Sequence, residues 1–250
     1  MTRPATTGTV TGMIEVDRLT KRYGSTTAVA GLSFTARPGR VTGFLGPNGA
    51  GKTTTLRVLL GLDAATSGAA TIGGVPFRSH RRGLRHAGAL LDGRQAHPGL
   101  SAAVHLAALA RSNGLPGRRV GDVLAEVGLT AVAHRLVGTY SLGMRQRLGV
   151  ATALLGDPPV LIFDEPVNGM DPEGIHWARG LFRRLAAEGR TVFLSSHLIG
   201  EMAATADDVV VIGQGRLLAA GSIDSFAGDS LEDVFLRLTS ASVDYRAGGA

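Results

Sequence analysis

The chain has 250 residues, with Lys+Arg 26, Asp+Glu 20 and no cysteine, for a formal charge of +6. That length suits one large domain, or a domain with a sub-domain, able to bury a sizeable core. The lack of cysteine excludes disulfides, iron–sulfur ligation and thiolate zinc sites. A composition of 44% hydrophobic, 18% charged and 5% aromatic residues is aliphatic and globular, not disordered.

Residues 1–12 are rich in Thr and Gly and lack the apolar core of a signal peptide. They are expected to be disordered, and the chain to be soluble and made without export. Ile14–Leu19 alternates apolar and charged residues, the pattern of a half-buried strand. Thr27–Ala36 and Val41–Leu45 are further strands, and the apolar periodic run Thr54–Leu62 reads as a helix.

Between that strand and that helix lies Gly46-Pro47-Asn48-Gly49-Ala50-Gly51-Lys52-Thr53, which fits G-x-x-x-x-G-K-[ST] at every fixed position. Its three glycines let successive backbone N–H groups point at one anion, and the helix N-terminus adds partial positive charge. Lys52 would reach the β- and γ-phosphates of a nucleotide and the Thr53 hydroxyl would ligate Mg²⁺, with Thr54 next in line. A strand before and a helix after are the context that such a loop needs, so the chain is expected to bind a nucleoside triphosphate. Of 26 basic residues only Lys21 and Lys52 are lysines.

Ala69–Gly73 and Ala87–Leu91 read as short strands. Residues 78–119 hold eight arginines against one acid, Asp92, whereas the rest of the chain holds 18 bases and 19 acids. A patch of that kind suggests nucleic acid, an anionic membrane surface or an acidic protein partner, or else a solvated face. From Ser101 to Gly156, Ala, Leu and Arg recur at helical spacing, with breaks at Asn113–Pro116 and around Gly138, so three or four helices are expected there. No membrane span is expected: the longest stretch without charge, Gln95–Ala110, contains His97, Pro98, Gly99 and His105.

Strand signals then return. Val160–Phe163 is a fully apolar run suited to a buried parallel strand, and it ends in Asp164 and Glu165. Acids at the C-terminal end of a buried strand suit a metal site at the sheet edge. Asp164 would orient Mg²⁺, and Glu165 would act as general base on the attacking water. Pro172–Glu188 reads as a helix with Asp171 as N-cap and Pro at its first position. Thr191–Ser195 is a strand and Leu198–Ala206 a helix. Val209–Ile212 and Arg216–Ala219 are strands joined by the turn Gly213–Gly215. Leu231–Leu238 is a last short helix, and residues 241–250 form a loose tail. Strands alternating with helices argue for an α/β core around a parallel sheet.

Taken in order, these motifs resemble the ATP-binding-cassette (ABC) ATPases, over roughly residues 13–240. Between the phosphate loop and the Asp164–Glu165 pair stands Tyr140-Ser141-Leu142-Gly143-Met144-Arg145-Gln146-Arg147, similar to the family's signature motif. Asn168-Gly169-Met170-Asp171 occupies the place of its D-loop, and Ser195-Ser196-His197 carries its switch histidine. The resemblance implies a P-loop NTPase fold of α/β class, with an antiparallel β sub-domain and a helical sub-domain inserted at about 90–157. It implies ATP and Mg²⁺ as ligands, with Glu165 and His197 catalytic. Ser141 and Gly143 would meet the γ-phosphate of ATP held by an opposite subunit, and Asp171 would organise that dimer interface. Tyr23 would stack on adenine; a packed tyrosine at a strand end is the alternative.

Two positions depart from the family pattern. Leu142 and Met144 replace the first Gly and the Gln of the usual Leu-Ser-Gly-Gly-Gln, as in exporter ATPases of the bacitracin and daunorubicin resistance type. At the Q-loop, where Gln or Glu is expected, Asp92 stands, with Gln95 three residues on; position favours Asp92 as the Mg²⁺-facing residue, through water. The resemblance further implies pairing with a second copy or a homologue, and separate transmembrane permease subunits. The chain would then lie on the cytoplasmic face of the membrane and power drug or antibiotic export. The competing reading is a soluble ABC ATPase acting on nucleic acid or ribosomes, for which the Arg-rich block speaks and its lack of aromatic residues speaks against.

Overall fold

A computed structural model describes residues 12–91, 96–226, 233 and 235–237. The chain forms an antiparallel sheet and a larger, mostly parallel one. The first holds β1 (Ile14–Tyr23), β2 (Thr26–Ala36) and β4 (Ser67–Ile72) in the order β2-β1-β4. The second holds β3 (Val41–Leu45), β5 (Ala87–Leu90), β6 (Val160–Asp164), β7 (Thr191–Ser196), β8 (Asp208–Gly213) and β9 (Arg216–Ser222). Its order is β5-β6-β7-β3-β8-β9, parallel except for the edge strand β9.

The central strands are apolar because both of their faces are covered. Alternate residues of each strand belong to different cores. Leu161 and Phe163 of β6, Val192 and Leu194 of β7, and Val209 and Val211 of β8 face the helices. Val160 and Ile162, Phe193, and Val210 and Ile212 face the antiparallel sheet and α1 (Lys52–Leu59). Phe34 of β2 lies 5.4 Å from Phe44 of β3 and 5.5 Å from Phe193 of β7, ring centre to ring centre, and joins the two sheets. Such aromatic clusters add to the area that they bury.

Between β5 and β6 the chain builds α2 (Ala102–Ser112), α3 (Arg118–Glu126) and α4 (Leu142–Leu154). Ser101 caps α2 and Ser141 caps α4, each accepting the N–H three residues on. The break at Asn113–Pro116 and the irregular stretch around Gly138 are both present, the latter as a single 3-10 turn at Val137–Thr139. After β6 come α5 (Pro172–Ala187) and α6 (Ile199–Ala203).

Several boundaries differ from the sequence expectation. The first helix begins at Lys52, not Thr54, because polar Lys52 and Thr53 already form its first turn. It stops at Leu59, where the backbone turns into Gly61 with φ of 67°. The helix expected over Leu198–Ala206 is confined to Ile199–Ala203. The helix of the signature motif begins at Leu142, directly after its cap Ser141. β1 runs on to Tyr23 because β2 pairs with it through Tyr23↔Thr26. Asp92 and Gln95 lie outside the described residues, as do residues 1–11, the tail 241–250 and half of the expected final helix. No described helix is long and apolar enough to cross a membrane.

Candidate nucleotide site

The glycine-rich loop connects the end of β3 to α1, so a fully buried strand fixes its entry and a helix fixes its exit. Its glycines serve different ends. A Cβ at Gly46 would stand 2.6 Å from the Ile212 carbonyl oxygen, and one at Gly51 would stand 2.5 Å from that of Ala28. Gly49 has open space around it but a φ of +80°, and Gly51 has a φ of +99°. The turn between β8 and β9 braces the loop from outside: Gly215 N–H donates to Ala50 O at 3.0 Å, and Ala30 N–H donates to Gly215 O at 2.8 Å.

No side chain caps α1, and no acid stands in its first turn. Its leading N–H groups therefore face the loop without a side-chain acceptor, which is an anion-binding arrangement. Lys52 is only 7% exposed. Its Nζ donates to Gly46 O at 2.5 Å and to Pro47 O at 3.3 Å. Burial lowers its pKa, against the opposing pull of Glu165 and Asp164. A cleft of about 250 Å³ is bounded by this loop and by Asp164 and Glu165.

Asp164 ends β6 and is 8% exposed. Its Oδ2 accepts from Thr53 Oγ1 at 2.8 Å, and its Oδ1 accepts from Ser195 Oγ. Among the described residues, no cation pairs with this buried carboxylate. Two hard oxygens, one of them charged, side by side at the edge of a phosphate loop fit a Mg²⁺ ion, which takes few protein ligands and keeps waters and phosphates as the rest.

Glu165 sits one residue beyond the strand, at a φ of 51°. Its N–H is held by Ser195 O and Ser195 Oγ, both at 3.2 Å. Its Oε2 lies 2.8 Å from His197 Nδ1. The parallel register of β6 and β7 pairs Asp164 with Ser195 and so carries His197, two residues on, to Glu165. The sequence alone points to Asp164, Glu165 and His197 but not to Ser195, the residue that ties them together. One signal for it exists: a polar residue closing an apolar strand next to one that ends in acid.

Tyr23 is 46% exposed at the end of β1, so its ring is not packed into either core. Its hydroxyl donates to Asp63 Oδ2 at 2.7 Å, and Lys21 Nζ lies 4.6 Å from its ring centre. The Asp63 hydrogen bond raises the Tyr23 pKa, while the Arg57 and Tyr23 hydrogen bonds hold Asp63 at about 2. Thr54 is close enough to act on the same phenol.

The signature residues lie elsewhere. Ser141 Oγ accepts Met144 N–H at 3.2 Å, and Asp171 Oδ1 accepts Gly174 N–H at 2.8 Å as the cap of α5. Ser141, Gly143 and Asp171 line a second cleft of about 340 Å³, which shares no lining residue with the first. Within one chain the phosphate loop and the signature helix therefore do not build a common site.

The family profile described as ABC transporter matches residues 29–168. The bacitracin transport ATP-binding protein BcrA of Bacillus licheniformis is 43% identical over 209 residues, covering 82% of this chain and 68% of its own. The lantibiotic transport ATP-binding protein SrtF of Streptococcus pyogenes is 34% identical, covering 89% of this chain and 96% of its own. A solved ATP-binding subunit of an ABC transporter superposes with a TM-score of 0.82 at 28% identity, over 91% of this chain and 99% of that one.

Proposed function

This chain belongs to the ABC transporter family and is an ATPase of it, and we propose that it is the ATP-hydrolysing subunit of an exporter, acting as a dimer on separate membrane subunits. The observation that carries the nucleotide part is the uncapped N-terminus of α1 behind a loop whose buried lysine, among the described residues, bonds only to that loop's own carbonyls. Both are groups that a triphosphate would satisfy. The export part rests on likeness to BcrA and SrtF, named for bacitracin and lantibiotic transport.

The N–H groups of residues 46–54 cradle the phosphates, apart from Pro47, which has none, and Ala50, whose N–H donates to Pro47 O at 3.1 Å, and Lys52 Nζ turns from Gly46 O to them. Thr53 and Asp164 would hold Mg²⁺, which would neutralise charge on the phosphate oxygens; Asp92, expected as a water-mediated neighbour of the ion, lies outside the described residues. Glu165 takes a proton from the attacking water as that water's oxygen bonds to the γ-phosphorus and the bond to ADP breaks. His197 holds Glu165 in place through Nδ1 and meets the γ-phosphate with its other ring nitrogen. Tyr23 supports adenine. Ser141, through its free O–H, and Gly143, through its N–H, complete the site from a second copy, with Asp171 at the joint. The two separate clefts support that dimeric reading, since a site split between them is closed only by another chain.

Arg78, Arg81, Arg82, Arg85, Arg111 and Arg118 are exposed and form no ion pair among the described residues. Arg85 donates to Gly114 O at 2.9 Å and joins the 78–86 segment to the end of α2 as one basic face. That face is read as the docking surface for a membrane partner beside anionic lipid.

Glu165→Gln tests the catalytic reading. ATP binding is expected to stay within about twofold, turnover to fall about a hundredfold or more, and an ATP-dependent two-chain species to accumulate in gel filtration. Near-normal turnover would remove Glu165 as the base.

A further inference from the structure

The loop from Glu165 to Asp171 carries the proposed base at one end and the cap of α5 at the other. Both ends are anchored, Glu165 by Ser195 and Asp171 by Gly174. Its middle leans on the first turns of α4. Gln146 Nε2 donates to Asn168 O at 3.4 Å, from a side chain that is itself buried. A Cβ at Gly143 would lie 3.8 Å from Gly169 O and 3.9 Å from Met170 Cα.

The tightest contact involves Leu142. Its side chain, 51% exposed on the cleft of the signature residues, lies over Gly169. A Cβ at 169 would overlap Leu142 Cδ2, stand 2.7 Å from Cγ and stand 3.5 Å from Cβ. Gly169 has a φ of +74°, so it is glycine for two reasons, conformation and space. Leu142 is also one of the three residues, with Tyr140 and Met144, by which this signature departs from Leu-Ser-Gly-Gly-Gln. The side chain gained at 142 thus occupies the room left free at 169.

We infer that Leu142 and Gly169 form a knob and hole through which the signature helix positions the loop that carries Glu165. Leu142 is a positioning residue and touches no reacting atom. The inference rests on the reading of Glu165 and Ser141 given above. A phosphate engaged at the N-terminus of α4 displaces that turn, and the displacement reaches Gly169, four residues from Glu165, through the leucine. Without the knob, the loop keeps its two ends but loses the apolar contact at its middle.

The test is a double-mutant cycle on the full chain with Leu142→Ala, Gly169→Ala and both, reading kcat and KM for Mg-ATP together with the thermal midpoint. Alanine at 142 keeps the helix but removes Cγ and Cδ, leaving Cβ in ordinary contact with a Cβ at 169. The left-handed strain at 169 is the same in both backgrounds and cancels from the cycle. Gly169→Ala is expected to lower kcat about tenfold with Leu142 present and no more than about threefold in the Leu142→Ala background, with KM moving less than about twofold. Leu142→Met, which restores an unbranched knob, is expected to keep kcat within about threefold of the parent. Multiplicative effects of the two substitutions would overturn the coupling. Should Gly169→Ala fail to fold, Leu142→Ala alone decides: a lowered kcat at unchanged midpoint and KM supports the knob, and an unchanged kcat overturns it. Glu165→Gln in the same assay separates the two levels: retained turnover there sinks the base, while the cycle still reports whether 142 and 169 are coupled.

Discussion

Ser195→Ala isolates the bond that links two strands of the central sheet at their C-terminal ends. Ser195 is fully buried, and its hydroxyl donates to Asp164 Oδ1 while accepting the Glu165 N–H. Alanine removes both contacts but little volume. The Glu165 N–H keeps Ser195 O as an acceptor, so that donor is not orphaned. The Asp164 oxygen is left with no donor of its own, while Oδ2 keeps Thr53. A hydrogen bond to a charged group contributes about 1.5–3 kcal/mol, so the loss should be about 2 kcal/mol. For a chain of this size that lowers the thermal midpoint by roughly 4–8 °C. Calorimetry or a circular-dichroism melt of the nucleotide-free protein measures it. In an Asp164→Asn background the same substitution breaks only a neutral bond, worth about 1 kcal/mol, so the cycle should show a coupling of about 1 kcal/mol. A midpoint shift of less than about 1 °C, or equal costs in both backgrounds, would refute the assignment of this bond as the anchor of Asp164.

Burial lowers the pKa of His105, whose Nε2 lies 3.5 Å from Thr152 Oγ1. The unfolded chain then takes up the proton first, so stability is expected to fall as pH drops below the ordinary value of 6.5. His105→Gln should flatten urea-unfolding stability between about pH 7 and 5, with His86, lowered by burial and by His80, supplying a residual slope of the same sign. The triple reversal Arg78→Glu, Arg81→Glu and Arg82→Glu is expected to leave basal ATPase activity within about twofold and to abolish recovery with membranes from expressing cells. Unchanged recovery would return the patch to a solvated face, and binding to nucleic acid lost in the same variant would favour the competing partner.

The elements that place the nucleotide site are legible because their causes are local. Val160–Phe163 is apolar throughout and Val41–Leu45 is apolar apart from Thr42 and Gly43, and runs of that length and kind suit a strand covered on both faces. Gly46 to Thr53 is a local pattern with a local mechanism. Asp171-Pro172 announces a helix start in two residues, and the structure begins α5 there. What is not legible depends on pairing across the fold. Ser195 meets Asp164 only because β6 and β7 are neighbours in a given register. The start of α1 escapes the apolar period because its first residues, Lys52 to Thr54, are polar. In sequence Leu142 is only a departure from a motif; its fit against Gly169 exists once residues far apart in the chain are brought together, a separation that no periodicity spans.

Glu165 holds a backbone conformation that L-residues other than glycine adopt at a cost of about 1–2 kcal/mol. The carboxylate is thus carried on a residue that the local chain would exchange for glycine if stability alone were selected. A library screened for heat resistance without a readout of turnover would drift toward that loss and register it as an improvement. With Glu165 as the base proposed above, the position marks where the interests of the scaffold and of the chemistry diverge, and it sets a practical rule for engineering this ATPase: hold residue 165 fixed, and look for added stability in the distant core between Phe34, Phe44 and Phe193.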